Sequence, residues 1–413
     1  MQTRIPVETL ATPRGKDADA ILRRCVHCGF CNATCPTFGL TGNELEGPRG
    51  RIYLLKAVLE GDEVTAASVE HLDHCLGCRA CETTCPSGVQ FHRLADIGRE
   101  LLHDRDLRPA WDRRRRRLIA RFFDGSMPLR ALLRAGRSVR RWLPARIARM
   151  IPEDAGETPA AVANPRGRVL MHEGCVQPLL APRINAAANR VLARRGMACD
   201  RADGCCGALA YHLDDVERAH RQIRRNIDAW HDPALESEGL VLTASGCSAF
   251  VRDYPELCRG DAAYEERARV LAGRVRDLSE LIEPVKHAPA VGASAPRVVL
   301  HLPCTLRHAL KGDGKLRDLL TASGWELLKT RDDGECCGSA GAYSLLHRAT
   351  AGALRDKKLA QLEHEDADEI VTANIGCRMH LGAQASVPVR HWIELWDELE
   401  TKAESAQAVS GSR

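Results

Sequence analysis

No run of about 18 apolar residues occurs in this 413-residue chain, so no segment is expected to cross a membrane as a helix. Membrane contact, if made, is then expected to be peripheral or through a partner. A charged, apolar, small-residue leader is also missing. The 18 cysteines are accordingly expected in a reducing cytoplasm, as ligands rather than disulfides. Phosphate-binding loops are absent too: no glycine-rich fingerprint follows a strand, and Gly312-Asp-Gly-Lys315 lacks the upstream glycine of a Walker-type loop. With no flavin or nicotinamide site, this chain is not expected to perform two-electron chemistry itself.

Lysine is absent between Arg108 and Arg149, where 14 arginines stand against only Asp112 and Asp124. That segment carries +12 in a chain whose formal net charge is +4, leaving −8 for the remainder. Arg113 to Arg117 run in series among Leu118, Ile119, Phe122, Phe123, Leu132 and Trp142, a pattern read as helix broken near Gly125 and Pro128. Two readings stand: a solvated connecting hairpin, or a surface for a partner subunit or anionic lipid. Nucleic-acid binding is not expected, because no recognition motif accompanies the charge.

What the chain has in abundance is one motif given twice, Cys25-x2-Cys28-x2-Cys31-x3-Cys35-Pro36 and Cys75-x2-Cys78-x2-Cys81-x3-Cys85-Pro86. This is the run of two-cluster bacterial ferredoxins, in which three thiolates hold one cluster and the fourth reaches to the other. On that rule Cys25, Cys28, Cys31 and Cys85 hold the first 4Fe-4S cluster, and Cys75, Cys78, Cys81 and Cys35 hold the second. Zinc knuckles need neither the third cysteine nor the proline. A helix is expected from Asp17, and another carries Ile52, Leu55, Val58 and Leu59 on one face in the 39 residues between the motifs. A compact β-rich ferredoxin has no room for that insert, so the domain resembles the all-helical ferredoxin domain of respiratory iron–sulfur subunits.

Beyond a linker at 152–167 comes an internal repeat. Strand-like Arg168–His172 leads to Cys175, then Cys205-Cys206-Gly207, then strand-like Leu240–Thr243 into Cys247. After a second linker at about 284–296, Arg297–His301 leads to Cys304, then Cys336-Cys337-Gly338, then Glu369–Thr372 into Cys377. The matching cysteines are offset by 129, 131 and 130 residues, which marks a duplication. Alternating strand and helix predict parallel α/β folding with cysteines in loops at strand ends, where open sheets build sites. The last helix is read as Val389–Glu400.

The expected architecture is therefore mixed: an α-helical two-cluster ferredoxin domain (1–100), a basic helical connector and linker (101–166), two duplicated α/β cysteine-rich domains (167–283 and 297–400) and a disordered tail (401–413). A glycine after each cysteine pair permits the left-handed turn that would present two thiolates together. Each repeat resembles the cysteine-rich domain of heterodisulfide reductase subunits, which can hold an unusual 4Fe-4S cluster. Both copies depart from that pattern in the same place, giving Cys247-x2-Phe250 and Cys377-x2-His380. Four cysteines remain per repeat: Cys175, Cys205, Cys206 and Cys247, or Cys304, Cys336, Cys337 and Cys377. They leave open a third iron–sulfur centre, a zinc site, or reduced thiols kept for packing or redox work. His380 could add a nitrogen ligand; His172 and His301, each three residues before a cysteine, could donate a hydrogen bond to a centre but read rather as core or capping histidines. Cys199 and Cys258 read as inert buried thiols.

The full order of parts, with Gly47-Pro-Arg-Gly-Arg-Ile-Tyr-Leu54, Thr243-Ala-Ser-Gly-Cys-Ser-Ala-Phe-Val251, Cys336-Cys-Gly-Ser-Ala-Gly-Ala-Tyr343, Val371-Thr-Ala-Asn-Ile-Gly-Cys377 and Val389-Arg-His-Trp-Ile-Glu394, resembles the iron–sulfur subunits of glycolate oxidase, also called glycolate dehydrogenase. That resemblance implies flavin-binding partner subunits that oxidise glycolate or D-lactate, with electrons passing through this chain toward a quinone or other acceptor. The complex is then expected on the inner face of the cell membrane. A competing reading makes the paired-cysteine repeats a thiol/disulfide reductase site, fed by the ferredoxin domain. No catalytic residue is assigned on this chain.

Overall fold

The computed structural model describes residues 1–103, 107–123, 127–142, 162–284, 296–331, 334–364 and 366–411. The fold is mixed α/β: a helical N-terminal domain followed by two small parallel sheets. Most of the two linkers read in the sequence lies outside the described residues, as does Gly125.

In the N-terminal domain, Pro13–Arg24 starts with Pro13 in its first turn and the Thr12 side chain accepting from Gly15 N, so the orphan N–H groups are met locally. Helix Pro48–Glu60 buries Ile52, Leu55, Val58 and Leu59, the face expected from their spacing. Helix Phe91–His103 supplies Leu94 and Ile97 to the same core. Cysteine loops lie at its edge, with Cys25 and Cys81 packed into it.

The basic connector forms helices Ala110–Phe123 and Met127–Val139. It is not uniformly solvated. Arg116 is buried and bonds Asp112 and Asp73, while Arg108 bonds Asp73 and Asp214. Burial alone would raise the Asp73 carboxyl, yet Arg108 and Arg116 hold it below the usual aspartate value. Trp111, Leu118, Leu132 and Trp142 remain exposed.

In the first repeat β1 (Gly167–His172), β2 (Met197–Arg201), β3 (Leu240–Leu242) and β4 (Val275–Arg276) pair in the order β2-β1-β3-β4, all parallel. In the second, β5 (Val298–His301), β6 (Leu327–Leu328), β7 (Glu369–Thr372) and β8 (Val389–His391) repeat it as β6-β5-β7-β8. Both faces of each sheet are covered, as parallel sheets require. Side chains alternate accordingly. Val169, Met171, Val241, Val298, Leu300 and Val371 enter one core common to both repeats, whereas Leu170, Leu240 and Leu242 face a second core within the first repeat. Val299 and Ile370 enter the corresponding core of the second.

Two sequence expectations change here. Val389–His391 is a strand rather than the start of a helix, which begins at Trp392. That helix then continues to Gly411, where a disordered tail was expected after Thr401. Lys402, Ala403 and Glu404 favour helix, Ala403 is buried, and Arg194 reaches Thr401 and Glu404. Further ion pairs fix this helix to Pro182–Arg194 of the first repeat and to Arg195 just beyond it: Arg190–Asp397 at 2.6 Å, Arg194–Asp397 at 2.8 Å and Arg195–Glu400 at 2.6 Å.

Candidate metal centres

The two ferredoxin-type loops share a backbone despite different side chains. Between the first and third cysteines, His27 (φ 59°) and Gly29 (φ 87°) are left-handed in one loop, and Gly77 (φ 63°) and Arg79 (φ 62°) occupy the same places in the other. Two such residues per loop curl the chain so that three thiols turn to one side. Each loop then closes with one helical turn, Phe30–Thr34 or Ala80–Thr84.

Two adjoining recesses open to solvent result. Cys25, Cys28, Cys31 and Cys85 line the first; Cys35, Cys75, Cys78 and Cys81 line the second, with Cys81 also forming part of the first wall. The fourth cysteine of each motif has thus crossed to the other motif's recess. Burial, then the neighbouring Cys25 and Cys85 thiols, pushes Cys31 up to about 11. Cys78 and Cys81 are driven well above the ordinary thiol value by burial and by neighbouring thiols. Four soft donors gathered where thiolates repel one another fit a cluster cation, which alone would make the deprotonated set stable.

Polar groups are already aimed at the sulfurs. Gly77 N donates to Cys75 Sγ at 3.4 Å and Val89 N to Cys85 Sγ at 3.5 Å. Cys35 Sγ lies 3.3 Å from Thr37 Oγ1, which donates to Glu46 O at 2.7 Å. Buried Arg51 donates to Thr37 Oγ1 at 3.2 Å and is held by Glu46 at 2.8 Å. Glu46 in turn meets His71 Nδ1 at 2.7 Å and His74 Nδ1 at 2.8 Å. Burial opposes its charge, but His74, His71 and Arg51 hold its carboxyl low. None of this second layer is legible from the cysteine spacing.

In both repeats the sheet order reverses direction between the first and third strands, the point where open α/β sheets bind ligands. Cys175 follows β1 and Cys247 follows β3, while Cys205-Cys206 follows β2. Cys205 donates to Cys175 at 3.3 Å. Asn226 Nδ2 and Tyr254 OH bond the Cys205 and Cys206 carbonyls, each at 2.7 Å. Hydrogen bonding from Cys206, helped by His172, draws Cys247 down to about 6. His172 Nδ1 meets Ala202 O at 2.9 Å and its ring packs 4.8 Å from that of Trp230.

In the second repeat Cys304 lies 3.8 Å from Cys336, and Cys337 interacts with Cys377. His380 does not join them: its Nε2 meets Ala351 O at 3.1 Å. Phe250, at the same place in the first repeat, packs with Tyr211 and Tyr254. The imidazole that does stand with the thiols is His301, whose ligand atom lies within 4.8 Å of those of Cys337 and Cys377. Cys199 and Cys258 lie away from both sets, pushed up to about 12 and about 11 by burial.

The recesses adjoin the repeats. Arg79 and His92 bond Asp253, and Thr83 Oγ1 meets His308 Nδ1 at 2.8 Å. Cys78 is close enough to Cys304 and Cys336 for their charges to be felt mutually.

Comparison with known proteins agrees with this division. The 4Fe-4S dicluster domain family matches residues 21–89, and the cysteine-rich domain family matches 169–252 and 298–382. The glycolate oxidase iron-sulfur subunit of Escherichia coli K12 is 45% identical over 405 residues, covering 96% of this chain and 99% of that protein. The chain belongs to the glycolate oxidase iron–sulfur subunit family. A probable glycolate oxidase iron-sulfur subunit of Bacillus subtilis 168 is 31% identical, covering 88% of this subunit and 89% of its own length. Lactate utilization protein A of Geobacillus thermodenitrificans is 30% identical over 225 residues, spanning 52% of the subunit.

Proposed function

We propose that this chain is the electron-carrying subunit of a glycolate-oxidising complex, with two 4Fe-4S clusters held in its N-terminal recesses. Cys25, Cys28, Cys31 and Cys85 are the ligands of the first, and Cys75, Cys78, Cys81 and Cys35 those of the second. The observation that carries the reading is the exchange of the fourth cysteine between two recesses that share the Cys81 wall. Such clusters move single electrons.

The protein's own part is to hold and tune. Gly77 N and Val89 N offer hydrogen bonds to ligand sulfurs, and Arg51 and Arg99 bring positive charge beside Cys35 and Cys75. Both effects favour the reduced, more negative cluster and raise its potential. Two-electron oxidation of glycolate, or of D-lactate, falls to flavin-binding partner subunits. Electrons leave toward a quinone or another acceptor. A thiol/disulfide reductase is disfavoured: Cys336 and Cys337 are 3% and 2% exposed, where a protein disulfide has no access.

The test is Cys78→Ser, or Cys28→Ser, in the assembled complex. Acceptor-linked glycolate oxidation should vanish while the flavoprotein still reduces an artificial dye; unchanged turnover to the natural acceptor would refute the assignment.

Peripheral membrane association belongs to the same proposal. It is supported by exposed Trp111, Leu118, Leu132 and Trp142 among the connector arginines, an arrangement suited to an anionic lipid surface. Flotation of the complex with anionic vesicles should weaken as salt rises from about 0.05 to 0.5 M, because screening then acts within a few Å. Binding indifferent to salt would leave the arginines as a solvated connector.

A further inference from the structure

We infer that the second repeat holds an iron–sulfur centre in which His301 Nε2 takes the place of the fifth cysteine, beside Cys304, Cys336, Cys337 and Cys377. The centre extends the electron route proposed above and rests on that reading for its purpose, but not for its test.

The argument begins with an unsatisfied atom. His301 ends strand β5 and is 3% exposed. Its Nδ1 lies 3.0 Å from Thr372 Oγ1, which fixes the ring, while its Nε2 is buried with no hydrogen-bond partner. A buried nitrogen left this way costs about 1–3 kcal/mol, so such an atom calls for a ligand. The ring stands with the thiols of Cys337 and Cys377, one of its nitrogens lying within 4.8 Å of their sulfurs. Thr372 then plays the orienting role that metal-bound imidazoles generally require on their second nitrogen.

The donor count decides the class of metal. A single zinc ion takes four ligands, whereas this repeat brings together four sulfurs and one nitrogen: Cys304 and Cys336 at 3.8 Å, then Cys337 and Cys377, then His301. Five donors suit a polynuclear iron–sulfur centre, and imidazole is an accepted iron ligand in such centres. The first repeat shares part of this: His172 Nε2 is likewise buried with no hydrogen-bond partner, but its ring packs on Trp230, and among the described residues no His–Cys–Cys set there is as tight. Location adds a reason for the asymmetry, since the charges of Cys304 and Cys336 act on Cys78 of the second ferredoxin recess. Clusters held at Cys78 and at this site would exchange single electrons, the first oxidised as the second is reduced, with no bond made or broken.

The experiment measures iron, acid-labile sulfide and zinc in full-length protein purified without oxygen, with electron paramagnetic resonance after dithionite reduction. Wild type should hold about twelve irons with matching sulfide, four per cluster. His301→Ala should fall to about eight irons while keeping the ferredoxin-type signals, and His301→Cys should regain the lost iron with an altered third signal. His172→Ala and His380→Ala should leave the iron content unchanged. Circular dichroism matching wild type separates ligand loss from misfolding, and recovery in His301→Cys does so independently. Twelve irons retained in His301→Ala, eight irons in wild type, or eight irons with one zinc would each overturn the inference. Fewer than about eight irons in wild type, or loss of the ferredoxin signals, would instead count against the two-cluster assignment.

Discussion

The glycine that ends each cysteine pair gives a sharp test of the repeat geometry. Gly207 and Gly338 are left-handed, at φ 96° and 86°, but their surroundings differ. A methyl group at 338 would lie 2.7 Å from Ala351 O and 2.8 Å from Leu354 Cβ, both on helix Arg348–Leu362; at 207 the nearest atom is 3.4 Å away. Gly341, at φ 61°, has open space around it. Alanine in the left-handed region costs about 1–2 kcal/mol, and displacing a packed helix adds about 1–3 kcal/mol. Reduced freedom of the unfolded chain offsets about 0.4–1 kcal/mol. Gly338→Ala should therefore lose about 1.5–4 kcal/mol, and Gly341→Ala at most about 1.5 kcal/mol. Because the two repeats share a core, a urea slope of about 3 kcal/mol/M applies, and the midpoint should fall by about 0.5–1.3 M for Gly338→Ala and by less than about 0.5 M for Gly341→Ala. Emission from Trp392 and Trp396, buried in that core, reports the transition. Equal shifts at 338 and 341 would refute the reasoning.

A further prediction concerns the anchor of the basic connector. Asp73→Asn removes the carboxylate shared by Arg108 and Arg116 and should cost about 3 kcal/mol, since it leaves guanidinium charge under-compensated in a largely buried site. Trypsin should then cut the Arg113–Arg117 run faster, and an unchanged cleavage rate would count against the anchor. The Asp73 carboxyl is lowered in the folded state, so its stabilisation is complete above the unfolded value and is lost as pH falls through the folded one. Urea midpoints of wild type and Asp73→Asn should thus differ by a constant amount from neutral pH down to the ordinary aspartate value of 3.8, and converge only in stronger acid.

Reading the sequence went furthest where chemistry imposes spacing. The ferredoxin loops, the duplication, helix 48–60 and the central strands β1, β3, β5 and β7 all carry local signals: ligand spacing, or apolar runs buried on both faces. The outer strands do not. Val275–Arg276 and Leu327–Leu328 are two residues long, too short for a period, and Met197–Arg201 is only half-buried with mixed polarity. Val389–His391 runs straight into Trp392, so apolar spacing alone could not separate strand from helix. The histidines reverse for a similar reason. His380 stands three residues from Cys377, one helical turn, yet helix Ile375–Gly382 directs it to Ala351. His301 is 36 and 76 residues from Cys337 and Cys377, and only the parallel pairing of β5 with β7 brings it to them.

Arg79 bears on the order in which the molecule is completed. It sits inside the second ferredoxin loop, between Cys78 and Cys81, and its partner Asp253 lies 174 residues further along. During synthesis the loop exists before that partner does, by roughly 10–35 s at ordinary translation rates of about 5–20 residues per second. For that interval the second thiol set stands open on the side that the later domain covers.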